Sequence, residues 1–157
     1  MLKKKIIIIV LLFLPSCGYE AMYSQKNVEI YNFSLTELSY SGDRIVNIKL
    51  DQKLKPFKKQ KKKSDNLYRL RITSKSNIEV ITKDSKGDPS AYENTVTVNA
   101  NFMAKGKSNN LDYNMSFKYD HIEDRIELQK YEREIVFNLS ENIANDLLFD
   151  LSNLNAN

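Results

Sequence analysis

Three features of the sequence carry side chains that could do chemistry: its one cysteine, its one histidine and a run of lysines. Cys17 follows an apolar block at residues 6–14 and lies in the segment LPSCGYEAMYS. A cysteine in that position could be a buried core residue, a reactive thiol or a point of covalent attachment. Which of these it is decides where the protein resides.

His121 lies next to Asp120 and close to Glu123 and Asp124. A histidine beside carboxylates can act as a general base or ligate a metal. The sequence holds no second histidine and no HExxH or GxSxG motif to complete such a site. Asp120 or Asp124 as the N-cap of a following helix explains the acids more simply. We therefore expect no enzyme, no catalytic residue, no metal and no cofactor.

Lysines crowd the segment between residues 53 and 63. Clustered lysines bind phosphates and carboxylates as point charges. One hypothesis is an anion contact, and the simpler alternative is a solvated loop that touches nothing. The residues of the hypothetical contact are Lys58, Lys59, Lys61, Lys62, Lys63, Arg69 and Arg71.

The start of the chain is typical of an exported protein. Lys3, Lys4 and Lys5 precede nine apolar residues, 6–14, a block shorter than the roughly 20 apolar residues that span a bilayer. A charged start, a short apolar core and a small residue before a cut site characterise a secretory signal. A buried strand is the alternative, but no polar residue alternates within the block.

Leu14-Pro15-Ser16-Cys17 resembles the lipobox of bacterial lipoproteins. The resemblance implies that the Cys17 thiol receives diacylglycerol, that the chain is cut before Cys17, and that the new N-terminus is acylated, for example with palmitate. Each buried acyl methylene contributes about 0.8 kcal/mol to membrane attachment. Gly18 stands where some lipoproteins carry an inner-membrane retention signal, so the resemblance favours the outer membrane.

Removal of the signal changes the charge balance. The whole chain carries 24 basic and 20 acidic residues, and without Lys3, Lys4 and Lys5 the balance is 21 to 20. A near-neutral, exported chain of this length predicts one domain that does not bind nucleic acid. We expect a signal peptide at 1–16, a lipid-anchored tether at 17–26, one domain at 27–152 and a tail at 153–157.

Periodicity predicts the elements of that domain. Residues 28–33 form a first strand, residues 41–44 offer cap residues, and a helix follows until Pro56 ends or kinks it. The helix's apolar face holds Val46, Leu50, Leu54 and Phe57. Residues 58–66 are predicted to be a polar linker. A second strand is predicted at 67–73 and continues through 78–82.

Two further strands alternate strictly. Residues 95–104 place Thr95, Thr97, Asn99 and Asn101 on one face, with the apolar residues on the other. Residues 111–119 place five apolar or aromatic residues on one face: Leu111, Tyr113, Met115, Phe117 and Tyr119. That face is either core or the wall of a lipid-binding groove. The turns at 83–90 and 105–110 predict an antiparallel meander.

A long helix from about residue 123 to 151 completes the chain. Its stripe is Leu128, Tyr131, Ile135, Leu139, Ile143, Leu147 and Leu151. Two helices with apolar stripes can pack on the apolar face of one sheet, which predicts an α+β, two-layer domain. Its four-stranded, mainly antiparallel sheet follows the order β-α-β-β-β-α.

This pattern resembles the LptE family of outer-membrane lipoproteins that assemble lipopolysaccharide, in particular its alphaproteobacterial members. The matching start is Cys17, Gly18, Tyr19, Met22 and Tyr23, whereas Ala21 and Ser24 depart from the family's proline and glycine. Arg44, Leu50 and Leu54 in the first helix, Tyr68 in the second strand and residues 128–147 of the last helix are also similar.

The resemblance implies a function that involves no enzymatic catalysis. Such a domain plugs the lumen of an LptD-like β-barrel, supports the barrel's assembly, and contacts lipopolysaccharide on its way to the outer leaflet. A Thr- and Asn-rich sheet face suits a water-lined lumen, and equally suits ordinary solvent. The alternative is a free-standing lipoprotein that binds lipid or another envelope ligand.

Overall fold

The structure, a computed structural model, describes residue 31, residues 33–58 and residues 66–154. These form β1 (Ser34–Gly42), α1 (Arg44–Lys58), β2 (Leu67–Lys83), β3 (Pro89–Ala104), β4 (Lys107–Asp120) and α2 (Arg125–Asn153). The predicted order of elements is confirmed. The predicted signal peptide and tether, and residues 155–157 of the tail, lie outside the described residues.

The four strands form one sheet in the order β1-β2-β3-β4. β1 runs parallel to β2, whereas β2–β3 and β3–β4 are antiparallel. Parallel neighbours need a crossover connection, and α1 supplies it. α1 packs on β1 and β2, α2 packs on β3 and β4, and the helices pack against each other. The predicted two-layer α+β class is therefore confirmed.

The core lies between the two helices and one face of the sheet, here called the inner face. The stripe predicted for α1 is buried throughout, and that of α2 is buried from Ile135 onward. The inner face contributes Tyr68, Leu70 and Ile72 from β2, and Val96, Val98, Ala100 and Phe102 from β3. Among the described residues, no helix is both long and apolar enough to cross a membrane.

The first strand lies later in the chain than its predicted position at 28–33. β1 begins at Ser34, and Phe33 instead packs its ring on Phe57, with centroids 5.0 Å apart. A register shift between Leu35 and Glu37 breaks the period of two, which hid the strand from pattern analysis. Residues 28–30 and 32 lie outside the described residues.

Asp43 fixes the start of α1. Its Oδ1 accepts hydrogen bonds from the N–H groups of Ile45 and Val46, at 2.8 and 3.0 Å, and its Oδ2 accepts one from the Ser76 hydroxyl at 2.6 Å. Burial works to raise the pKa of Asp43, but these hydrogen bonds outweigh it and hold the pKa below its usual value. Pro56 lies inside the last turn, so α1 continues two residues further than the proline suggested.

The two hairpins are tighter than predicted. β3 begins at Pro89 and β4 at Lys107, whereas the alternating segments were predicted at residues 95–104 and 111–119. Each strand therefore extends further toward its turn than predicted. Lys105 and Gly106 alone connect β3 to β4, with φ of 49° and 80°. Positive φ at both central residues is the geometry of a two-residue hairpin turn.

The inner side of β4 is less buried than its pattern suggested. Of its five apolar or aromatic residues only Tyr119 is buried, and Phe117 is 45% exposed. β4 is an edge strand, so its inner side chains have a strand neighbour on one side only. The face is therefore partly core and partly open surface.

Candidate functional site

None of the described helices packs on the face of the sheet opposite α1 and α2, here called the outer face, and its side chains are mostly polar. The predicted row from β3, Thr95 to Asn101, lies on it, opposite Asn110, Asp112, Asn114 and Ser116 of β4. Cross-strand hydrogen bonds tie the rows together: Asn99 donates to Asp112, and the Ser116 hydroxyl donates to Glu93 at 2.9 Å. The result is a broad surface of short amide and hydroxyl groups.

Arg69 and Arg71 stand on this outer face because alternation sends Tyr68, Leu70 and Ile72 inward. They line a shallow cleft with Glu37, Ser39, Asn101 and Met103. Arg69 Nε lies 3.9 Å from Glu37 Oε2, and both side chains are about two-thirds exposed, so this pair neutralises little charge. Within the described part of the chain, Arg71 has no ion pair.

The rest of the predicted anion contact does not join this cleft. Lys58 ends α1 and is exposed in the helical layer, on the other side of the sheet from Arg69 and Arg71. Lys59, Lys61, Lys62 and Lys63 lie outside the described residues, as does Cys17. The described structure thus brings together the two arginines of the predicted set.

The acids near His121 include the N-cap of α2, as the sequence predicted. Asp124 is the N-cap of α2, and its Oδ1 accepts from the N–H groups of Ile126 and Glu127 at 2.7 and 3.0 Å. His121 Nδ1 lies 3.3 Å from the Tyr92 hydroxyl oxygen. Among the described residues, no group of three or more His, Cys, Asp or Glu side chains is placed to hold a metal ion.

A polar cluster that the sequence did not predict lies between the two helices. Lys53 is buried and forms an ion pair with Glu141. Lys49 forms a second ion pair with Glu141, in which its Nζ lies 2.7 Å from Oε2. Hydrogen bonds from Lys49 and Lys53 hold the pKa of Glu141 below its usual value. The partners Lys53 and Glu141 are 88 residues apart, so helical periodicity offered no signal that would pair them.

We expect Glu141→Gln to lower the free energy of unfolding by about 1 to 3 kcal/mol at pH 7, because Lys53 would lose a charged hydrogen-bond partner inside the protein. The folded-state pKa of Glu141 is depressed, so its contribution is present above the unfolded-state pKa and is lost as pH falls through the folded-state value. Urea unfolding at pH 7 and pH 3 checks both statements.

Glu134→Gln is the matched control, since Glu134 lies two turns earlier on α2 and is exposed. Equal stability losses for the two variants at pH 7, or a Glu141→Gln defect that does not shrink in acid, would contradict the role given to this cluster.

No family model matches the sequence, and no curated protein matches it. Solved structures do match the fold. Rare lipoprotein B from Shewanella oneidensis is 13% identical, with a TM-score of 0.61 over 76% of this chain and 96% of that one. A lipoprotein from Caulobacter crescentus is 12% identical, with a TM-score of 0.56 over 85% and 96% of the two chains.

A third structure is lipoprotein B from Nitrosomonas europaea, 10% identical, with a TM-score of 0.55 over 80% of this chain and 88% of that one. At these identities the likeness shows a shared fold. This chain therefore has the fold of these three lipoproteins, and the likeness does not single out the alphaproteobacterial type.

Proposed function

We propose that the protein is an outer-membrane lipoprotein that plugs an LptD-like β-barrel, supports the barrel's assembly and aids the insertion of lipopolysaccharide. The observation that carries the proposal is the fold, since three lipoprotein structures align with it over 88 to 96% of their own lengths. The lipobox-like sequence ending at Cys17 supports the lipid anchor independently.

The outer face suits the plug role physically. A porin-like lumen is water-lined, so a domain inside it needs a polar surface and gains nothing from an apolar one. Short amide and hydroxyl side chains can exchange hydrogen bonds with the polar wall of a barrel. They also lose less rotamer entropy when immobilised than long charged chains do.

Co-purification tests this function. After mild detergent extraction, the tagged protein should elute with a large β-barrel protein, and deleting its gene should deplete that barrel from the outer membrane. Elution of the protein alone, with a normal level of every large barrel in the deletion strain, would reject the proposal. It would favour the free-standing lipoprotein.

The arginine cleft supports a direct contact with lipopolysaccharide, whose phosphates and carboxylates can pair with guanidinium groups. The double variant Arg69→Gln/Arg71→Gln should weaken lipopolysaccharide binding by about two- to thirty-fold at low salt, because each exposed ion pair contributes about 0.2 to 1 kcal/mol. The loss should shrink at high salt, where screening removes the wild-type advantage.

Lys75→Gln/Lys118→Gln is the matched control, since it removes two charges from other positions on the outer face. Binding measured at two salt concentrations should distinguish the variants. If both double variants bind equally well, the arginine cleft has no specific part in the contact. A further variant, Lys58→Gln with Lys59, Lys61, Lys62 and Lys63 also changed, tests the lysine run separately.

A further inference from the structure

The longest regular edge of the sheet is β4. Its 14 residues pair with β3 throughout without a register shift, and in the described part of the chain no strand pairs with its other side. Natural edge strands are usually protected by proline, bulges or inward-pointing charge. β4 has none of these between Ser108 and Ser116. As far as the described residues go, the edge is thus free to pair with an additional strand.

The hydrogen-bonding direction of β4 follows from its two ends. The two-residue turn places Lys107 in a hydrogen-bonded pair with Ala104, and at the far end the His121 N–H donates to the Ser90 carbonyl at 2.9 Å. Odd-numbered residues therefore direct their backbone groups toward β3. The backbone N–H and C=O groups of the even-numbered residues, such as Asn114, point away from the sheet.

A row of acids on α2 accompanies this edge. The Tyr119 hydroxyl donates to Glu132 at 2.9 Å and the Tyr113 hydroxyl donates to Asp150 at 2.6 Å. Asp146 is close enough to contribute to the raised pKa of Tyr113, after burial and Asp150. Within the described residues, none of the three acids has an ion pair with a lysine, arginine or histidine. The acid row is therefore negative and faces the edge.

Half-covered apolar side chains lie beneath the acid row. Leu111, Tyr113 and Met115 are half-buried, and Phe117 is 45% exposed, all on the inner side of β4. A strand added to β4 would place its own inner side chains beside them. Lysine or arginine fits this environment, because its methylene stem can lie on apolar surface while its charged end reaches an acid.

We propose that the β4 edge binds an extended segment of a partner protein that carries lysine or arginine at alternate positions. The backbone of the segment pairs with the even-numbered residues of β4. Its basic side chains lie on the inner side, with their stems on Met115 and Phe117 and their charges near Glu132, Asp146 and Asp150. This inference goes beyond the proposed plug function and does not depend on it.

A second copy of this chain fits the edge less well. Antiparallel pairing of two β4 edges would place both α2 helices on the same side of the joined sheet. The two acid rows would then face each other across the junction, and like charges opposed in this way destabilise the pairing. A basic strand has the opposite effect, so charge complementarity favours it.

The test uses a nine-residue peptide that alternates threonine and lysine, with a threonine–glutamate peptide of the same length as its counterpart. Fluorescence anisotropy would follow their binding to the acylated full-length mature chain in non-ionic detergent. The lysine peptide should bind at least tenfold more tightly than the glutamate peptide, and salt should weaken its binding. Equal binding of the two peptides would overturn the proposal.

Two variants separate edge pairing from general surface charge. Asn114→Pro removes an outward N–H without touching the β3 ladder and should reduce lysine-peptide binding at least tenfold, whereas Asn114→Ala should change it less than twofold. Asp146→Asn should reduce binding severalfold, with Glu79→Gln on the outer face as its control.

Peptide binding that survives both Asn114→Pro and Asp146→Asn would overturn the proposal, and because Asp146 is exposed that substitution leaves the fold intact. Sedimentation of the free protein completes the test. A monomer is the expected result, and a dimer that Asn114→Pro dissociates would show that a second copy occupies the edge instead.

Discussion

Replacing Gly42 by alanine is expected to be among the most destabilising single substitutions in the domain. Gly42 ends β1 with φ +93°, and a Cβ added there would lie 1.9 Å from the Ser74 carbonyl oxygen. That oxygen belongs to the backbone of β2 and accepts the Asp43 N–H at 3.1 Å. Ser74 also pairs with Val98 of β3, so it cannot move aside without disturbing the sheet.

Comparison with Gly87→Ala isolates the steric part of this effect. Gly87 has φ +91°, almost the same backbone conformation, but nothing lies within 4 Å of an added Cβ. The left-handed conformation alone costs an L-residue about 1 to 2 kcal/mol. Overpacking costs about 1 to 3 kcal/mol, and occasionally more. Urea unfolding should therefore show Gly42→Ala to be less stable than Gly87→Ala by the cost of overpacking, about 1 to 3 kcal/mol.

Equal stabilities of the two alanine variants would mean that β1 can withdraw from Ser74 at no cost. That result would contradict the close approach of β1 to β2 at the point where α1 begins. Failure of Gly42→Ala to fold at all, with Gly87→Ala folded, agrees with the close approach.

Replacing Cys17 by serine is expected to abolish maturation of the precursor. In the proposed lipid anchor the Cys17 thiol receives diacylglycerol before the chain is cut, and a serine hydroxyl cannot take the place of that thiol. The protein should then keep residues 1–16, lack acyl chains and lose the free energy of attachment, about 0.8 kcal/mol for each buried methylene. Mass spectrometry of the membrane and soluble fractions would show the unprocessed mass.

Ser16→Ala is the matched control, since alanine is also small and should leave processing normal. A Cys17→Ser protein that matures to the wild-type length would exclude the lipid anchor. It would also remove the sequence argument for an outer-membrane location.

Residues with a simple period were predictable from the sequence. The α1 stripe and the alternation of β3 fixed which faces are buried, because burial on one side of an element imposes a regular apolar spacing. The first strand was predicted but placed too early, at residues 28–33, because the bulge and the edge position of β1 leave only a weak alternation. Phe33 misled the prediction, since its ring packs into the core from outside any strand.

Contacts between distant parts of the chain were not predictable. Glu141 between Lys49 and Lys53, and Tyr113 with Asp150, depend on how two helices and a sheet meet in space. The separation of Lys58 from Arg69 and Arg71 has the same origin. In sequence they form one basic region, but the end of α1 and the outer face of β2 lie on opposite sides of the sheet.

Photo-crosslinking from the outer face tests the central claim most directly. A photo-reactive residue at Thr97, in the middle of that face, should form an adduct with a large outer-membrane β-barrel protein in living cells. The same residue at Val98, which is buried beneath the helices, should form none. Efficient crosslinking at Thr97 to lipid or small proteins, with no barrel adduct, would contradict the proposal that this domain is a barrel plug.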